Sequence, residues 1–481
     1  MQFTIEKLIY GGDGLARIPA SGDERRGKTV FVPYVLPGEV VEATVVEERK
    51  GFTRARLVEV LQPSTARITP RCPYFGVCGG CHYQHSDYTA QLEDKRQILQ
   101  ETILRGAKVS LPQIEVHSGD PYGFRNRTRM KIEVGEAAEA EAESGTRLAA
   151  PAADAGSGTR QAAPAAGAGF ALGYYRHGSH ELEPVRECPI SSPLINRAIG
   201  ALWELAAEAM QYPSLREVQF FANHDDSELL VELFIHHATT PVLLKNFAKL
   251  LRERMPEIAG VAVFASASGA VGSKATDEDM EDGNLESSRR LSRAGVPYID
   301  GATSLVYQVG GHGYRVSAGS FFQTNRFLAS KLVELVTANR SGRAALDLYA
   351  GVGLFTLPMS RNFERITSVE IAQNSYDDLA ANAAVPHIQA VHSTTEDYLN
   401  AARGRWDFAI VDPPRAGLGE RAAKRLGELG IPRVAYVSCD PATLARDLVT
   451  LLASGYKVEE AHLVDLFPQT YHMETVLHLV R

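Results

Sequence analysis

No run of apolar residues in the 481-residue chain reaches the ~18 needed to cross a bilayer as a helix, and the opening MQFTIEKLIYGG has neither the basic start nor the apolar stretch of a secretory signal. A cytoplasmic location and no membrane partner are expected. Cysteine is scarce. The five present are an odd, scattered set that excludes a disulfide framework and, in a reducing compartment, points to metal binding or catalysis. Positive charge is short as well: the formal net charge is −8, whereas a phosphate-bearing partner calls for cations. The shortage is uneven, because residues 1–135 hold 19 Lys+Arg against 16 Asp+Glu, a surplus of 3, which leaves −11 for the remainder. Within that first part GFRNRTRMK sets Arg125, Arg127, Arg129 and Lys131 at alternate positions, one face of a strand, as a stripe that could track a phosphate backbone.

What is present divides by texture, with length for roughly three domains. Residues 1–62 alternate short strand-like runs (KTVFVPYVL, EVVEATVVEE, TRARLVEVL) with Gly/Pro turns, the pattern of a small β-barrel. Residues 63–304 begin with a cysteine-rich loop and a helical pattern, YTAQLEDKRQILQETILRG, closed by glycine. Between 136 and 169 the composition falls to Ala, Gly, Glu and Pro, which cannot bury a core and reads as a disordered insertion in a hairpin; DEDMEDGNLESSRR at 277–290 reads as an acidic surface loop. Residues 305–481 alternate strands and helices as in a doubly wound α/β domain.

Four cysteines form one constellation. Cys72, Cys78 and Cys81 follow C-x5-C-x2-C in CPYFGVCGGC, and Cys188 follows 107 positions later in ECP. Four thiolates suit tetrahedral zinc or an iron-sulfur cluster. Zinc sites commonly pair two C-x2-C knuckles, so three ligands from one loop and a remote fourth favour [4Fe-4S]. A radical enzyme would need C-x3-C-x2-C and an open iron, which this set does not offer.

The fifth cysteine stands elsewhere. In PRVAYVSCDPATLARD, Cys439 lies where a strand should end, and other polar residues fall at the same kind of position. AALDLYAGVGLF reads as a strand to Asp347 with a Gly351/Gly353 turn that lets a cofactor approach the backbone; RITSVE ends in Glu370, placed to accept from ribose hydroxyls; WDFAIVDPPR ends in Asp412; and Glu474 opens a final strand. The missing third glycine of G-x-G-x-x-G lowers a dinucleotide and favours S-adenosylmethionine. Together these strand ends outline one site.

With these residues in hand, the chain resembles the RNA 5-methyluridine methyltransferases over nearly its whole length. GGDGLAR and VFVPYVLPGE resemble the TRAM RNA-binding barrel, CPYFGVCGGC with ECP resembles the cluster site of the ribosomal-RNA branch, and SFFQTN, DLYAGVG, DPPRAGL, SCDPATLARD and FPQTYHME follow in the family's order. The resemblance implies a Rossmann-like class I methyltransferase domain behind an OB-like TRAM barrel and a central iron-sulfur/β domain. It implies that Gln323, Tyr349, Glu370 and Asp412 bind S-adenosylmethionine, that Cys439 is the nucleophile, that Glu474 is the base, and that Cys72, Cys78, Cys81 and Cys188 hold a [4Fe-4S] cluster. The expected partner is RNA, 23S rRNA ahead of the tRNA T-loop, and the expected state a monomer. The insertion and Leu354, where relatives often carry a polar residue, depart from the pattern. A 5-methylcytidine transferase would show a Pro-Cys nucleophile motif, absent here; a non-catalytic cluster protein would have no use for Cys439 and Glu474.

Overall fold

Alternation decides the N-terminal body. Along Phe52–Gln62, Thr53, Ala55 and Leu57 turn inward while Arg54, Arg56 and Val58 face out, a period of two that only a strand supplies. Six strands join in the order Gln2–Thr4, Val40–Glu48, Phe52–Gln62, Thr29–Val32, Gly14–Arg17, Lys7–Leu8 around a core of Phe3, Ile5, Val30, Val32, Val41 and Leu57. The computed structural model describes residues 1–18, 27–135, 169–236, 239–265 and 297–481. The proposed insertion, apart from Gly169, and the acidic stretch 277–290 therefore lie outside the described residues. Glu39, fully buried, fastens the barrel to the cysteine loop: its carboxylate takes a two-pronged bond from Arg67, at 2.6 and 2.8 Å, and backbone N–H bonds from Leu36 and Ser64.

A seven-stranded sheet follows, in the order Leu182–Pro184, Phe170–Tyr175, Arg127–Val134, Leu215–Ala222, Leu229–Ile235, Ile258–Ala265, Tyr298–Gly301. Helices Pro193–Glu204 and Lys245–Arg254 cover one face, burying Leu194, Ile199, Leu202, Phe247 and Leu251 against Met130, Ile132 and Val231. The hairpin Ser304–Val309/His312–Ser317 lies on the other, where Tyr307 and Phe322 meet Phe221. Both faces being covered, every residue of Leu229–Ile235 is buried.

Part of the cation stripe, Arg127 and Arg129, points into this second interface. Arg127 is buried, its guanidinium 4.2 Å from the Phe221 ring centroid and donating to the Ser320 carbonyl at 2.6 Å. Arg129 lies 3.9 Å from the Phe234 ring, and it and Lys131 both pair with Glu217. The alternation puts the residues on one face, as read from the sequence, but Glu217 and two aromatic rings take up their charge. The phosphate-tracking reading therefore fails for the buried Arg127.

The third body is an eight-stranded sheet in the order Ile388–His392, Phe363–Glu370, Gly342–Leu348, Phe408–Val411, Arg433–Ser438, Glu474–Val480, Lys457–Val464, Ile114–His117. The first five strands are parallel; Glu474–Val480 runs antiparallel to both its neighbours. The edge strand comes from far upstream. Residues 88–117, read as part of the central domain, belong to this body instead: helix Tyr88–Ala107 packs Ile98, Leu99 and Ile103 into the sheet's core, and Ile114–His117 pairs with Lys457–Val464. Gly106 permits the close approach, since a Cβ there would sit 2.6 Å from that of Ala445. Within the interface Lys95, fully buried, donates to Asp465 at 2.6 Å and to the Phe467 carbonyl at 3.0 Å. A charge pair inside a core is selected by geometry, not by hydrophobic pattern, so periodicity alone does not reveal it.

Candidate active site

The five strand-end residues read from the sequence share one end of the sheet. Asp347 and Glu370 close parallel strands, while Asp412 and Cys439 directly follow Val411 and Ser438. Glu474 begins the antiparallel strand, which brings its start to the same end, and the pairing of Ser438 with Thr475 carries Cys439 alongside Glu474. The sheet's one reversal of direction thus places nucleophile and base candidates side by side.

The turn after Gly342–Leu348 is strained by design of its sequence. Tyr349 takes φ +61°, a left-handed conformation costly for a bulky side chain, and Gly351 and Gly353 follow at +56° and +94°. One helical turn, Thr356–Met359, follows. Glu370 braces the turn, accepting from the Gly351 N–H at 2.9 Å and, with its other oxygen, from Ile371 and Ala372 at 2.8 and 2.6 Å. Asp347 accepts from the Thr356 hydroxyl at 2.6 Å. Leu354 is buried, and its carbonyl accepts from Tyr314 at 2.9 Å, so apolar packing occupies that position.

Burial concentrates carboxyls here at an electrostatic cost. It pushes Asp347 up to about 7, helped by the charges of Asp412 and Glu370, and Asp412 likewise to about 7. Burial, then the charge of Asp412, holds Glu474 well above the usual carboxylate range, with Arg415 opposing. Burial also raises Glu370 despite its three backbone donors. Such a group asks for a cation, and S-adenosylmethionine carries two, its sulfonium and its ammonium. Gln323 arrives from outside the sheet. It is buried on the segment after the hairpin, its backbone carbonyl held by Asn126 at 3.0 Å.

Around Cys439 stand residues to which the sequence reading gave no role. The hydroxyl of Tyr10, on the N-terminal barrel, lies 3.5 Å from the Cys439 carbonyl oxygen, and its ring meets Tyr471 edge-on at 5.4 Å. Arg415 donates to His472 at 3.0 Å, and burial with the Arg415 charge holds that imidazole well below its ordinary pKa, hence neutral. Asp440 caps helix Pro441–Ala453 by accepting from Ala442 and Thr443. Asp447, fully buried, ties the loop after Arg415 to that helix through the N–H groups of Leu418 and Gly419 and the Tyr436 hydroxyl at 2.7 Å. DPPRAGL and SCDPATLARD are therefore one structural unit. Arg415 stood in a quoted motif and was legible in principle; Tyr10 carries no local signal of a partner more than four hundred residues away.

The four remaining cysteines gather where the loop after the barrel meets the central sheet. Gly79 donates to the Tyr175 carbonyl at 3.0 Å and His177 to that of Val77 at 2.9 Å, seating the loop on strand Phe170–Tyr175 and the turn after it; Asn196 holds Cys188 by a 2.8 Å bond to its N–H and a 3.0 Å bond to its carbonyl. Burial pushes Cys72 up to about 11 and Cys81 to about 12, and in both the nearby Cys188 adds to the rise; Cys78 goes well above its ordinary value from burial and the neighbouring sulfurs. Soft, desolvated, mutually repelling sulfurs are a donor set that fits a cationic centre. Four such sulfurs could hold either a tetrahedral zinc or an iron-sulfur cluster.

Comparison with known proteins shows the family. The family pattern described as tRNA (Uracil-5-)-methyltransferase matches residues 302–481, and that of the TRAM domain matches 2–58. The 23S rRNA (uracil(1939)-C(5))-methyltransferase RlmD of Chromohalobacter salexigens is 30% identical to this chain over 99% of it and 89% of its own length. The chain belongs to the RNA (uracil-5-)methyltransferase family. It is an S-adenosylmethionine-dependent enzyme of that class, with a Rossmann-like catalytic domain and an N-terminal TRAM domain. An uncharacterized RNA methyltransferase of Aquifex aeolicus is also 30% identical, over 99% of this chain and 97% of its own. The crystal structure of Pyrococcus abyssi tRNA (uracil-54, C5)-methyltransferase with S-adenosyl-L-homocysteine shares the fold of the methyltransferase at TM-score 0.69 and 22% identity, covering 100% of both chains.

Proposed function

We propose that this methyltransferase modifies carbon 5 of a uridine in 23S rRNA through a covalent adduct between Cys439 and carbon 6 of the base. The observation that carries the reading is the Ser438–Thr475 register, which sets Cys439 beside Glu474 at the carboxyl end of the sheet. Carbon 5 of uracil is too weak a nucleophile to take a methyl group unaided. The Cys439 thiolate adds to carbon 6, carbon 5 becomes enolate-like and accepts the methyl group of S-adenosylmethionine, Glu474 takes the proton from carbon 5, and the Cys439–carbon 6 bond breaks. Burial and the neighbouring Asp412 raise the Glu474 carboxyl, and a raised carboxyl is the stronger proton acceptor once ionised. Tyr349, Glu370 and Asp412, with Gln323, would bind S-adenosylmethionine, the buried carboxyls facing its positive charges. Cys72, Cys78, Cys81 and Cys188 would hold a [4Fe-4S] cluster, which would fix the loop between barrel and central sheet.

RNA as substrate follows from the family, and 23S rRNA from relatives of that name aligned over nearly the whole chain. The uridine must leave its stack to expose carbon 6. Tyr10 brings the TRAM barrel to the nucleophile's own backbone, so RNA held by the barrel is delivered beside Cys439. Mass-spectrometric mapping of 5-methyluridine in RNA from a strain lacking this enzyme tests the substrate: loss from 23S rRNA is expected, and loss from tRNA alone would overturn the assignment.

A further inference from the structure

We infer a second metal site, for a zinc-like divalent cation, at the far edge of the catalytic sheet, built by Glu115, His117 and His462. Parallel pairing of Ile114–His117 with Lys457–Val464 sets Glu115 opposite His462 and His117 opposite Val464, so the three side chains emerge on one face. His117 Nε2 and His462 Nδ1 lie 3.2 Å apart and share a hydrogen bond whose proton the ion would replace, and a Glu115 carboxylate oxygen lies 3.5 Å from the second and 4.0 Å from the first. A tetrahedral zinc with nitrogen and oxygen ligands at about 2.0–2.2 Å has ligand-to-ligand edges of about 3.3–3.6 Å. The triangle needs only a small inward movement of Glu115, which is exposed and free to make it, whereas His462 is buried.

The surroundings orient the ligands as metal sites do. His462 turns its other nitrogen toward Glu460 at 3.6 Å, and Glu460 in turn faces Arg340 at 3.7 Å; this is a carboxylate behind a ligating imidazole. The neighbouring group of Glu460, His462 and His478 is less suited to the ion, because the His478 ring nitrogen is engaged by the Leu335 carbonyl at 3.0 Å. Two imidazoles and one carboxylate leave a fourth position to water on the solvent side, where Glu115 sits. The donors are nitrogen and oxygen, unlike the cysteine set, and the site lies on the last two strands in the sheet's order. Its consequence is mechanical: the ion would pin Ile114–His117, the one strand drawn from far upstream, to the sheet edge.

The test uses the full chain with its cysteine site already loaded and excess metal removed, titrated with zinc chloride alone. Equilibrium dialysis should find one further zinc per chain, His462→Ala should lose it, and the wild-type melting temperature should rise with zinc while that of the variant does not. Anomalous scattering at the zinc edge should place the ion among Glu115, His117 and His462. Should His462→Ala fold poorly, Glu115→Ala changes only an exposed side chain and should weaken zinc binding at least tenfold. Equal zinc uptake by wild type and Glu115→Ala, or no uptake by the wild type, overturns the site.

Discussion

The guanidinium of Arg127 lies over the ring of Phe221, 4.2 Å from its centroid, in the interface between the central sheet and the hairpin that leads to the catalytic domain. Buried there with one bond to the Ser320 carbonyl, it contributes packing and a charge-assisted hydrogen bond. Arg127→Ala should lower unfolding free energy by about 2–3 kcal/mol, seen as a lower urea midpoint at unchanged slope. The salt dependence of RNA binding should stay as it is, because the Arg127 guanidinium is covered by protein. A flattened salt slope with unchanged stability would restore the phosphate-tracking role.

Much of the site was legible because strand ends in a doubly wound sheet converge by topology: Asp347, Glu370, Asp412 and Cys439 were placed by strand counting alone. Glu474 was read as opening the last strand, and the antiparallel direction that brings that start to the same end of the sheet appears only in the structure. At Arg127 the stripe reading failed for a different reason. Period two reports which residues share a face, not what covers the face, and Phe221, Phe234 and Glu217 come from strands about ninety residues on. Lys95–Asp465 and Tyr10–Cys439 were equally out of reach, since each joins residues hundreds of positions apart through a single polar contact.

Asp347 offers a pH signature. Its carboxyl is raised from 3.8 to about 7 by burial, so the folded state holds its proton more tightly than the unfolded chain does. Its stabilising contribution is full below about pH 4 and is lost as pH rises through about 7. Asp347→Asn keeps the neutral form at every pH. In ligand-free protein the variant should match the wild type near pH 4 and exceed it at pH 8, by up to about 4 kcal/mol for a shift of this size. Thermal unfolding at the two pH values decides; a variant less stable at pH 8 would mean that the carboxylate is paired with a cation in the folded state.

The cysteine set makes a prediction in iron. Protein purified without oxygen should carry about four irons per chain with the broad visible absorbance of a cluster, and Cys188→Ser should lose both. Metal analysis that returns stoichiometric zinc and no iron would replace the cluster with a structural zinc.

The central claim is that Cys439 bonds to carbon 6 of the uracil and Glu474 removes the proton from carbon 5, and trapping on denaturing gels addresses both at once. RNA carrying 5-fluorouridine at the target should leave wild-type protein covalently bound, because fluorine on carbon 5 cannot be taken by a base as a proton is. Cys439→Ala should form no adduct with either RNA, and Glu474→Gln should accumulate an adduct on ordinary RNA after methyl transfer, turnover falling at least a hundredfold. An adduct formed by Cys439→Ala, or normal turnover by Glu474→Gln, would contradict the mechanism.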